Sequence, residues 1–379
     1  MSLSVGEPDY APPPHVLAAT VRGLSESAIG YTQVGGLHTL REAICADSAR
    51  RRTVVHSPDQ VVVSAGAKHA LYNLSQVLLD PGDRVVIPAP SWGTYTEQVR
   101  LAGATPVRLD TSPVGGYFPT PAMLAQALSG PEPVKAVVLC VPSNPTGAVV
   151  DRATWCEFAD VLRGAPDVVV IVDEIYAQLT YDGFVQASLL TVAPDLQDRV
   201  VIVDGVSKTY AMTGFRIGWV LAPTDVARSA TALQGQVTTN VSTLSQWAAQ
   251  AALTGDQSYV AEVRRVLQTK RDLLCDGLQG VPGLSLSLRP RAAFYAWVDV
   301  RGWLGARHAG GVLDDDVAVA HFLLDAVRLS VVPGSAFDAP GHIRLSFATA
   351  EGDIVEGIAR LKQAAVRLSG LSATDHGPG

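Results

Sequence analysis

Apolar residues in this chain fall into short runs, which are separated by longer segments with apolar positions at helical spacing. Seven of the runs have strand length, namely residues 61–63, 84–87, 105–109, 136–140, 168–172, 200–204 and 217–221. Strand-length apolar runs that alternate with amphipathic segments are typical of a parallel sheet wrapped by helices. The pattern predicts an α/β fold with a mostly parallel seven-stranded sheet and helices on both faces.

The last third of the chain has a different pattern. A long helical stretch is predicted from about Ser242 to Gln279, and Pro282 and Gly283 mark a turn after it. The apolar run 293–298 then begins a second, strand-rich region, which predicts a smaller α+β domain. From about Ser369 the residues are small and polar, and we expect a disordered tail there.

Charge and composition limit the partners of this protein. The chain has 379 residues, of which 47% are hydrophobic, so it is long enough for a large core and a second domain. Its formal net charge of −7 argues against nucleic acid or an anionic membrane as a partner, because both select basic surfaces. The one arginine run, residues 50–52, is interpreted as a solvated helix end.

The cysteine pattern bears on cellular location. The four cysteines (Cys45, Cys140, Cys156 and Cys275) are widely spaced and match no metal or redox motif. Buried thiols in a reducing compartment are the simpler explanation. The sequence also shows no leader peptide and no segment of membrane-spanning length. We therefore expect a cytoplasmic protein without a metal.

Lys208 is the strongest chemical candidate. It follows the apolar run 200–203, where loss of solvent favours the neutral amine and makes it a nucleophile toward an aldehyde. Eight residues later, Arg216 can present its planar guanidinium to a phosphate. A lone Ser-Lys pair is most often a surface feature, so the interpretation depends on other segments.

A second group of polar residues follows two other predicted strands. Asp173 ends the run 168–172, at the edge where open α/β sheets bind ligands, and suits a pyridinium nitrogen as its partner. Asn144 and Tyr176 could both donate hydrogen bonds to a ring hydroxyl. Taken singly, Asp173 could be a helix N-cap and Asn144 a turn residue. Together they favour a cofactor site.

Eight short motifs occur along the chain in the same order as in a known enzyme family, at residues 31–36, 64–68, 91–92, 144–147, 173–176, 207–208, 214–218 and 341–346. In these motifs the chain resembles the class I and II aminotransferases, which are pyridoxal-phosphate enzymes of fold type I. The bacterial aspartate aminotransferase branch is the nearest. The resemblance extends from Ser4 to Ser346. It implies a large cofactor-binding domain over residues 26–264 and a small domain over 265–379, which residues 1–25 join.

The resemblance also implies a role for each matching residue. Lys208 would form a Schiff base with pyridoxal 5′-phosphate and, once released by substrate, move the Cα proton. Trp92 would stack on the ring, and Tyr31 would reach the phosphate of the neighbouring subunit, which requires a homodimer. The resemblance implies further cofactor ligands, namely Gly66, Ala67 and Lys68 at a helix start, Asn144, Asp173, Tyr176, Ser207 and Arg216. It also implies that Asp173 and Tyr176 take part in catalysis.

The implied substrates are an amino acid and a 2-oxo acid. Arg344 would hold the α-carboxylate with Asn144 beside it, and the backbone of Gly6 would come close to the same group. Lys68 has two open interpretations. It could receive a distal carboxylate of the substrate, or it could neutralise phosphate or lie in solvent.

Two departures from the family pattern change the expectations. Many relatives have serine or threonine three residues before the lysine, where this chain has Gly205, so phosphate binding would depend more on Arg216, Tyr31 and the helix start. Only five residues precede Gly6, whereas relatives cover the substrate with an N-terminal helix. We expect an open mouth to the site.

The predicted function is amino-group transfer between an amino acid and a 2-oxo acid. An alternative within the same fold is a biosynthetic enzyme that catalyses elimination, replacement, cyclisation or oxidation, because the same cofactor supports all of these reactions. A third is a non-catalytic, aminotransferase-like ligand sensor. No helix-turn-helix segment precedes Gly6, and Lys208, Asp173 and Arg344 are all present, which disfavours the sensor.

Overall fold

A computed structural model describes residues 1–26, 29–52, 54–308 and 310–372. The helices in these ranges are α1 (Pro14–Glu26), α2 (His38–Arg52), α3 (Ala67–Leu78), α4 (Thr94–Leu101), α5 (Pro121–Leu128), α6 (Arg152–Arg163), α7 (Leu189–Val192), α8 (Thr224–Val237), α9 (Thr243–Thr254), α10 (Ser258–Gly277), α11 (Asp316–Val327) and α12 (Glu351–Ser372). The strands are β1 (Val61–Ser64), β2 (Arg84–Ala89), β3 (Thr105–Asp110), β4 (Ala136–Cys140), β5 (Val169–Asp173), β6 (Val200–Gly205), β7 (Gly218–Leu221), β8 (Ser285–Leu288), β9 (Tyr295–Asp299), β10 (Arg307–His308), β11 (Gly311–Val312), β12 (Val332–Pro333) and β13 (His342–Ser346).

The first seven strands form one sheet in the order β1-β7-β6-β5-β4-β2-β3. All pairs are parallel except those of β7, which runs antiparallel to both β1 and β6. Each of the seven apolar runs became a strand, so the predicted seven-stranded, mostly parallel sheet is confirmed. The parallel order brings the carboxyl ends of β4, β5 and β6 to one edge.

Both faces of this sheet are covered by helices, as predicted. Side chains alternate between the faces along each strand. Val170 and Val172 of β5 pack in a core with α2, α6 and α9, whereas Ile171 packs in a second core with α3, α4 and α8. Burial of a Val or Ile side chain contributes roughly 1.5–3 kcal/mol, so residues on both faces stabilise the sheet.

Helix α6 shows how local sequence sets one of these layers. The carboxylate of Asp151 accepts a hydrogen bond from the Thr154 amide at 2.7 Å and caps the helix. The buried residues Trp155, Phe158 and Leu162 then recur at helical spacing and form one apolar face. Capping and periodicity thus agree on the start of the helix and on its buried side.

A second sheet has the order β12-β13-β9-β8 and packs against α10, α11 and α12 in a separate core. Leu3 joins this core, and its amide donates to the Ser330 carbonyl at 2.9 Å. Helix α1, by contrast, packs against α9. The predicted domain boundaries at residues 25 and 264 therefore stay predictions, with the first residues in contact with both regions.

Three expectations need correction or qualification. The helical stretch 242–279 is two helices, α9 and α10, separated at residues 255–257. Helix α12 continues to Ser372, so the predicted disordered tail is wrong for residues 369–372, and residues 373–379 lie outside the described ranges. Among the described residues no helix combines the length and apolarity needed to cross a membrane.

The arginine run 50–52 does end a helix, but the prediction that it is solvated is wrong for Arg52. Its side chain is 1% exposed and pairs with Glu174 and Asp204. A run of charged residues usually marks a solvated surface. Here the side chain of Arg52, in the last turn of α2, is buried at the carboxyl ends of β5 and β6. The acidic partners come from distant strands, so local sequence did not reveal them.

Candidate active site

A cavity of about 320 Å³ opens where the carboxyl ends of β4, β5 and β6 meet the start of α3 and the second sheet. It collects all of the predicted site residues except Gly66 and Tyr31. Its lining is Gly6, Ala67, Lys68, Trp92, Tyr95, Cys140, Asn144, Asp173, Ile175, Tyr176, Ser207, Lys208, Arg216, Tyr295 and Arg344. The residues come from eight segments that are far apart in the chain.

Lys208 lies just beyond the buried end of β6. Its amine donates a hydrogen bond to the Gly6 carbonyl at 2.6 Å. Burial lowers the pKa of this amine to about 8, and the nearby Glu7 carboxylate opposes the shift. A larger share of the amine is therefore neutral at physiological pH than in an ordinary lysine, as a nucleophile requires.

Asp173 is the last residue of β5 and is 2% exposed. One carboxylate oxygen accepts from the Tyr95 hydroxyl at 2.8 Å and the other from the Ile175 amide at 3.1 Å. Burial raises the pKa of Asp173 to about 6, although both hydrogen bonds act to lower it. The Ile175 contact closes a turn, and no helix begins at Asp173, which excludes its interpretation as a helix N-cap.

The start of α3 forms a cradle with Arg216. Gly66 precedes the helix with φ of +86°, a conformation that favours glycine. A Cβ atom on Gly66 would lie 2.4 Å from an Nη atom of Arg216, so the guanidinium lies directly over this turn. The free amides of the first helical turn and the arginine charge together suit a phosphate.

Arg344 enters the cavity from the second sheet. It is 7% exposed, and its Nη atoms donate to Asn144 Oδ1 at 2.9 Å and to the Ser4 carbonyl at 2.8 Å. Its guanidinium lies over the rings of Tyr295 and Phe337, at 4.2 and 4.9 Å from the centroids. Its Nε atom is buried and has no hydrogen-bond partner among the residues that the structure describes. These contacts fix the orientation of the Arg344 guanidinium and leave its Nε–H as a hydrogen-bond donor for a ligand.

Two pairs of aromatic residues complete the walls. The Trp92 ring meets Tyr95 edge-on with centroids 5.5 Å apart, and the Lys68 amine lies 4.8 Å from the Trp92 ring centroid. On the far side the Tyr176 hydroxyl is 3.0 Å from that of Tyr295. Lys68 is exposed, so its amine reaches the cavity from the solvent side.

Tyr31 lies outside this cavity and is 91% exposed. It borders a separate surface depression with Trp247 and His38. Within one chain it therefore does not join the other site residues. Its predicted role in a neighbouring subunit stays a prediction.

Sequence reasoning missed Tyr95 and Tyr295. Tyr95 lies in the first turn of α4, only three residues after Trp92, and this closeness in sequence to a predicted ring-stacking residue was an available signal. Tyr295 lies in an apolar run that was interpreted only as a strand. Its hydroxyl can be assigned to the cavity only when β9 is seen beside β13.

The backbone around Gly205 explains one departure from the family pattern. A Cβ atom there would lie 2.9 Å from the Ile217 carbonyl and 3.0 Å from Gly218 Cα. Strands β6 and β7 thus approach so closely that a side chain at position 205 would have to move a backbone. A serine or threonine hydroxyl would not fit without such a shift.

The donor set fits pyridoxal 5′-phosphate. The cavity presents a lysine amine of lowered pKa, a buried carboxylate and a phosphate-sized cradle at Gly66 and Arg216. Among the described residues no cluster of three or more acidic, histidine or cysteine side chains could hold a metal ion. The arrangement matches an aldehyde cofactor with an anionic arm and a basic ring nitrogen.

Comparison with known proteins supports the same class. The family model for aminotransferase class I and II matches residues 1–361. An aspartate aminotransferase of Streptomyces avermitilis is 39% identical over 96% of this chain and 88% of its own length. An aspartate/prephenate aminotransferase of Cereibacter sphaeroides is 37% identical over 97% and 92%.

Solved structures agree in fold. The aspartate aminotransferase of Rhizobium meliloti superposes with a TM-score of 0.93 at 34% identity, over 97% of this chain and 92% of that one. The Thermus thermophilus aspartate aminotransferase with maleate has a TM-score of 0.88 at 35% identity, over 96% and 91%. The chain belongs to the class I and II aminotransferase family. It is a pyridoxal-phosphate-dependent transferase that acts on amino acid and 2-oxo acid substrates.

Proposed function

We propose that this aminotransferase uses Lys208, Asp173 and Arg344 as its catalytic and substrate-binding centre and prefers substrates with a distal carboxylate. One observation carries the assignment. The Lys208 amine, the Asp173 carboxylate and the Arg344 guanidinium line a single cavity although they come from β6, β5 and β13 regions of two sheets. Groups that are chemically costly to bury are gathered at one place, which is typical of an active site.

The buried acid would hold the ring end of the cofactor. Pyridoxal phosphate, when bound, supplies a conjugated ring that delocalises the negative charge left at the substrate Cα. Asp173 with its pKa near 6 is mostly ionised at pH 7 and can accept a hydrogen bond from a protonated ring nitrogen. Tyr95 and the Ile175 amide hold the carboxylate in place. Asn144 and Tyr176 are proposed to contact the ring hydroxyl.

Phosphate binding and ring stacking complete the proposed cofactor contacts. The first turn of α3, at Gly66, Ala67 and Lys68, would bind the phosphate with Ser207 and Arg216. Trp92 would cover one face of the ring and restrict its tilt. Together these residues would hold the cofactor at its phosphate and at its ring.

Lys208 is proposed as tether and as acid–base group. Its amine, once free, accepts the proton from the substrate Cα and returns a proton on the same side. A pKa near 8 suits both halves of this transfer, because the group can take up and release a proton near neutral pH. Arg344, with Asn144 and the Gly6 backbone, would orient the α-carboxylate so that the Cα–H bond faces Lys208.

The alternative reactions receive less support than transamination. The related proteins reported above are named as aminotransferases, and none of them is named for elimination, replacement, cyclisation or oxidation. The ligand-sensor alternative leaves the shifted pKa values of Lys208 and Asp173 without a purpose. Product analysis with a panel of amino acids and 2-oxo acids tests the choice: release of ammonia in place of a new amino acid would contradict transamination.

The preference for a distal carboxylate rests on Lys68. Its exposed amine reaches the cavity beside Trp92, at a position where an anionic arm of the substrate could end. The named relatives include aspartate aminotransferases and one structure with maleate, a dicarboxylate. A phosphate contact remains the competing role.

Lys68→Ala separates these two roles. If Lys68 binds the distal carboxylate, kcat/KM for aspartate and glutamate should fall about tenfold, in line with a lost charge-assisted contact, while a neutral aliphatic and a bulky amino acid change little. Lys135→Ala, an exposed lysine at the start of β4, is the control. An equal loss for all four substrates would contradict the distal role and favour phosphate binding.

A homodimer with shared sites is proposed from the surface of α1. Leu17, Val21 and Leu24 recur at spacings of four and three residues and are 43, 63 and 51% exposed, which leaves an apolar helix face that no described part of the chain covers. Tyr31, 91% exposed, follows this helix. We propose that a second copy covers this face and receives Tyr31 in its phosphate site.

Mixed dimers test the sharing directly. Tyr31→Ala and Lys208→Ala subunits are each expected to be poorly active. If sites are shared, random reassembly should restore about one quarter of wild-type activity, because one site of each hybrid has both groups intact. No gain on mixing, or an active monomer in sedimentation, would contradict the proposal. A cytoplasmic location is also proposed, since the four cysteines are free thiols.

A further inference from the structure

A buried ion-pair bridge lies behind the active site. Arg52, the last residue of α2, donates from Nε to Glu174 at 2.7 Å and from Nη2 to Asp204 at 2.6 Å. All three residues are at least 95% buried. One guanidinium therefore joins the carboxyl ends of β5 and β6.

Both partners are adjacent to proposed catalytic residues. Glu174 follows Asp173 directly, and its amide donates to the Val203 carbonyl of β6 at 2.8 Å. Asp204 lies four residues before Lys208 and accepts from the Gly205 amide at 2.8 Å. The bridge thus fixes the two backbones from which the acid and the amine extend.

The bridge is also a balance of charge. Arg51 shares the Asp204 carboxylate at 2.5 Å and pairs with Asp47 at 2.7 Å. Arg50 pairs with the same Asp47 at 2.9 Å, so three arginines face three carboxylates. In a buried site each of these charges acts strongly on its neighbours, because little water screens it. Loss of one arginine would leave excess negative charge beside Asp173.

We propose that Arg52 is a positioning residue for the transferase reaction: it holds Asp173 and Lys208 at their working separation and keeps the Asp173 carboxylate ionised. The proposal rests on the roles assigned to Asp173 and Lys208 above. Arg52 does not line the cavity and would act on the reaction through Glu174 and Asp204.

The direction of the electrostatic effect follows from the neighbours of Asp173. Glu174 and Asp204 raise the pKa of Asp173, whereas the Tyr95 and Ile175 hydrogen bonds lower it. Removing the Arg52 cation takes away the arginine that pairs with Glu174 and leaves Asp204 with Arg51 alone, so the pKa of Asp173 should rise. The charged and titratable groups that face Asp173 are Tyr95, Cys140, Glu174, Asp204 and Lys208.

Arg52→Gln in the cofactor-loaded enzyme tests the proposal. The acidic limb of kcat against pH should move up by about one pH unit, and the dissociation constant of the protein for pyridoxal phosphate should rise about tenfold. Arg52→Lys keeps the charge but cannot present a planar fork to two carboxylates. It should therefore keep the wild-type limb while kcat falls.

Arg271→Gln is the matched control. Arg271 is 3% exposed and forms a two-point pair with Asp182 at 2.5 and 2.8 Å, away from the cavity. Its loss should lower the urea midpoint as much as Arg52→Gln does, with no change in the pH limb or in cofactor binding. The comparison separates positioning from a general loss of stability.

Each outcome has a defined meaning. If Arg52→Gln is destabilised like Arg271→Gln but keeps the wild-type limb and cofactor affinity, Arg52 is purely structural and the proposal is wrong. If Arg52→Gln does not fold, Glu174→Gln is tested instead. Because Glu174 raises the pKa of Asp173, its neutralisation should move the acidic limb of kcat to lower pH. An unshifted limb in that variant also overturns the proposal. If the wild type neither binds pyridoxal phosphate nor transfers amino groups, the proposed function itself fails.

Discussion

The two sheets supply the candidate site in different ways. The seven-stranded sheet presents Asp173 at the carboxyl end of β5 and Lys208 just beyond the carboxyl end of the parallel strand β6. The four-stranded sheet presents Arg344 from the middle of β13, between the rings of Tyr295 and Phe337. One region ends in reactive groups with shifted pKa values, and the other holds a permanent cation in a fixed plane.

This difference suggests a division of labour. Groups at strand ends lie at a junction of loops and can approach a cofactor closely, whereas a side chain in mid-strand is rigidly oriented by its neighbours. We expect changes in the large sheet to act mainly on kcat and changes in the small sheet mainly on KM. Four variants test the comparison, in order of decreasing effect.

Lys208→Ala should have the largest effect. Lys68, the other lysine that lines the cavity, lies on its solvent side, so we expect loss of the visible absorption band of the lysine-bound cofactor and a fall in kcat of at least about 10⁴-fold. Absorption spectra and single-turnover kinetics measure both. Lys362→Ala, an exposed lysine on α12, should leave both unchanged. Normal turnover by Lys208→Ala would refute the assignment.

Asp173→Asn comes next. A neutral amide cannot keep the ring nitrogen protonated, so we expect kcat to fall by about 10³-fold with a small change in KM. In the wild type kcat should fall below pH 6, because Asp173 with a pKa of about 6 becomes protonated there. The acidic limb should disappear from the pH profile of the variant. A variant with wild-type kcat would remove Asp173 from the chemistry.

Arg344→Ala should act mainly on KM. The lost guanidinium leaves the α-carboxylate without its charge-assisted donors, which should raise KM for every amino acid about 10²-fold and leave cofactor affinity unchanged. Steady-state kinetics and cofactor titration measure the two effects. Arg301→Ala, an exposed neighbour paired with Asp299, is the control. A wild type that prefers amines without a carboxylate would contradict this role.

Tyr95→Phe should have the smallest effect and sharpens the comparison. It removes the hydroxyl that donates to Asp173 at 2.8 Å, a contact that lowers the pKa of the acid. The pKa should rise, so the acidic limb of kcat should move up by about one pH unit while kcat at high pH changes little. Tyr259→Phe, which loses only a contact to the Ala11 carbonyl, should not move the limb.

The sequence was most informative where a residue's role depends on its place along a strand. Asp173 and Lys208 could be located because each follows an apolar run, and the carboxyl ends of parallel strands share an edge. Their selection for a cofactor depended on the family resemblance. The structure then showed why Gly205 replaces a hydroxyl residue, through contacts with β7 that no local pattern contains.

The seven strands along the chain and the covered faces of the large sheet could be derived from apolar periodicity, which is a property of neighbouring residues. Lys208 and Asp173 were located by their places after apolar runs, whereas Arg344 was assigned from the family resemblance. The burial of Arg52, the bond from Tyr95 to Asp173 and the pairing of Tyr176 with Tyr295 were decided only by the tertiary structure. Each of these contacts joins residues that are 78 to 152 positions apart in the sequence. A charge or hydroxyl has no fixed environment until such segments pack together.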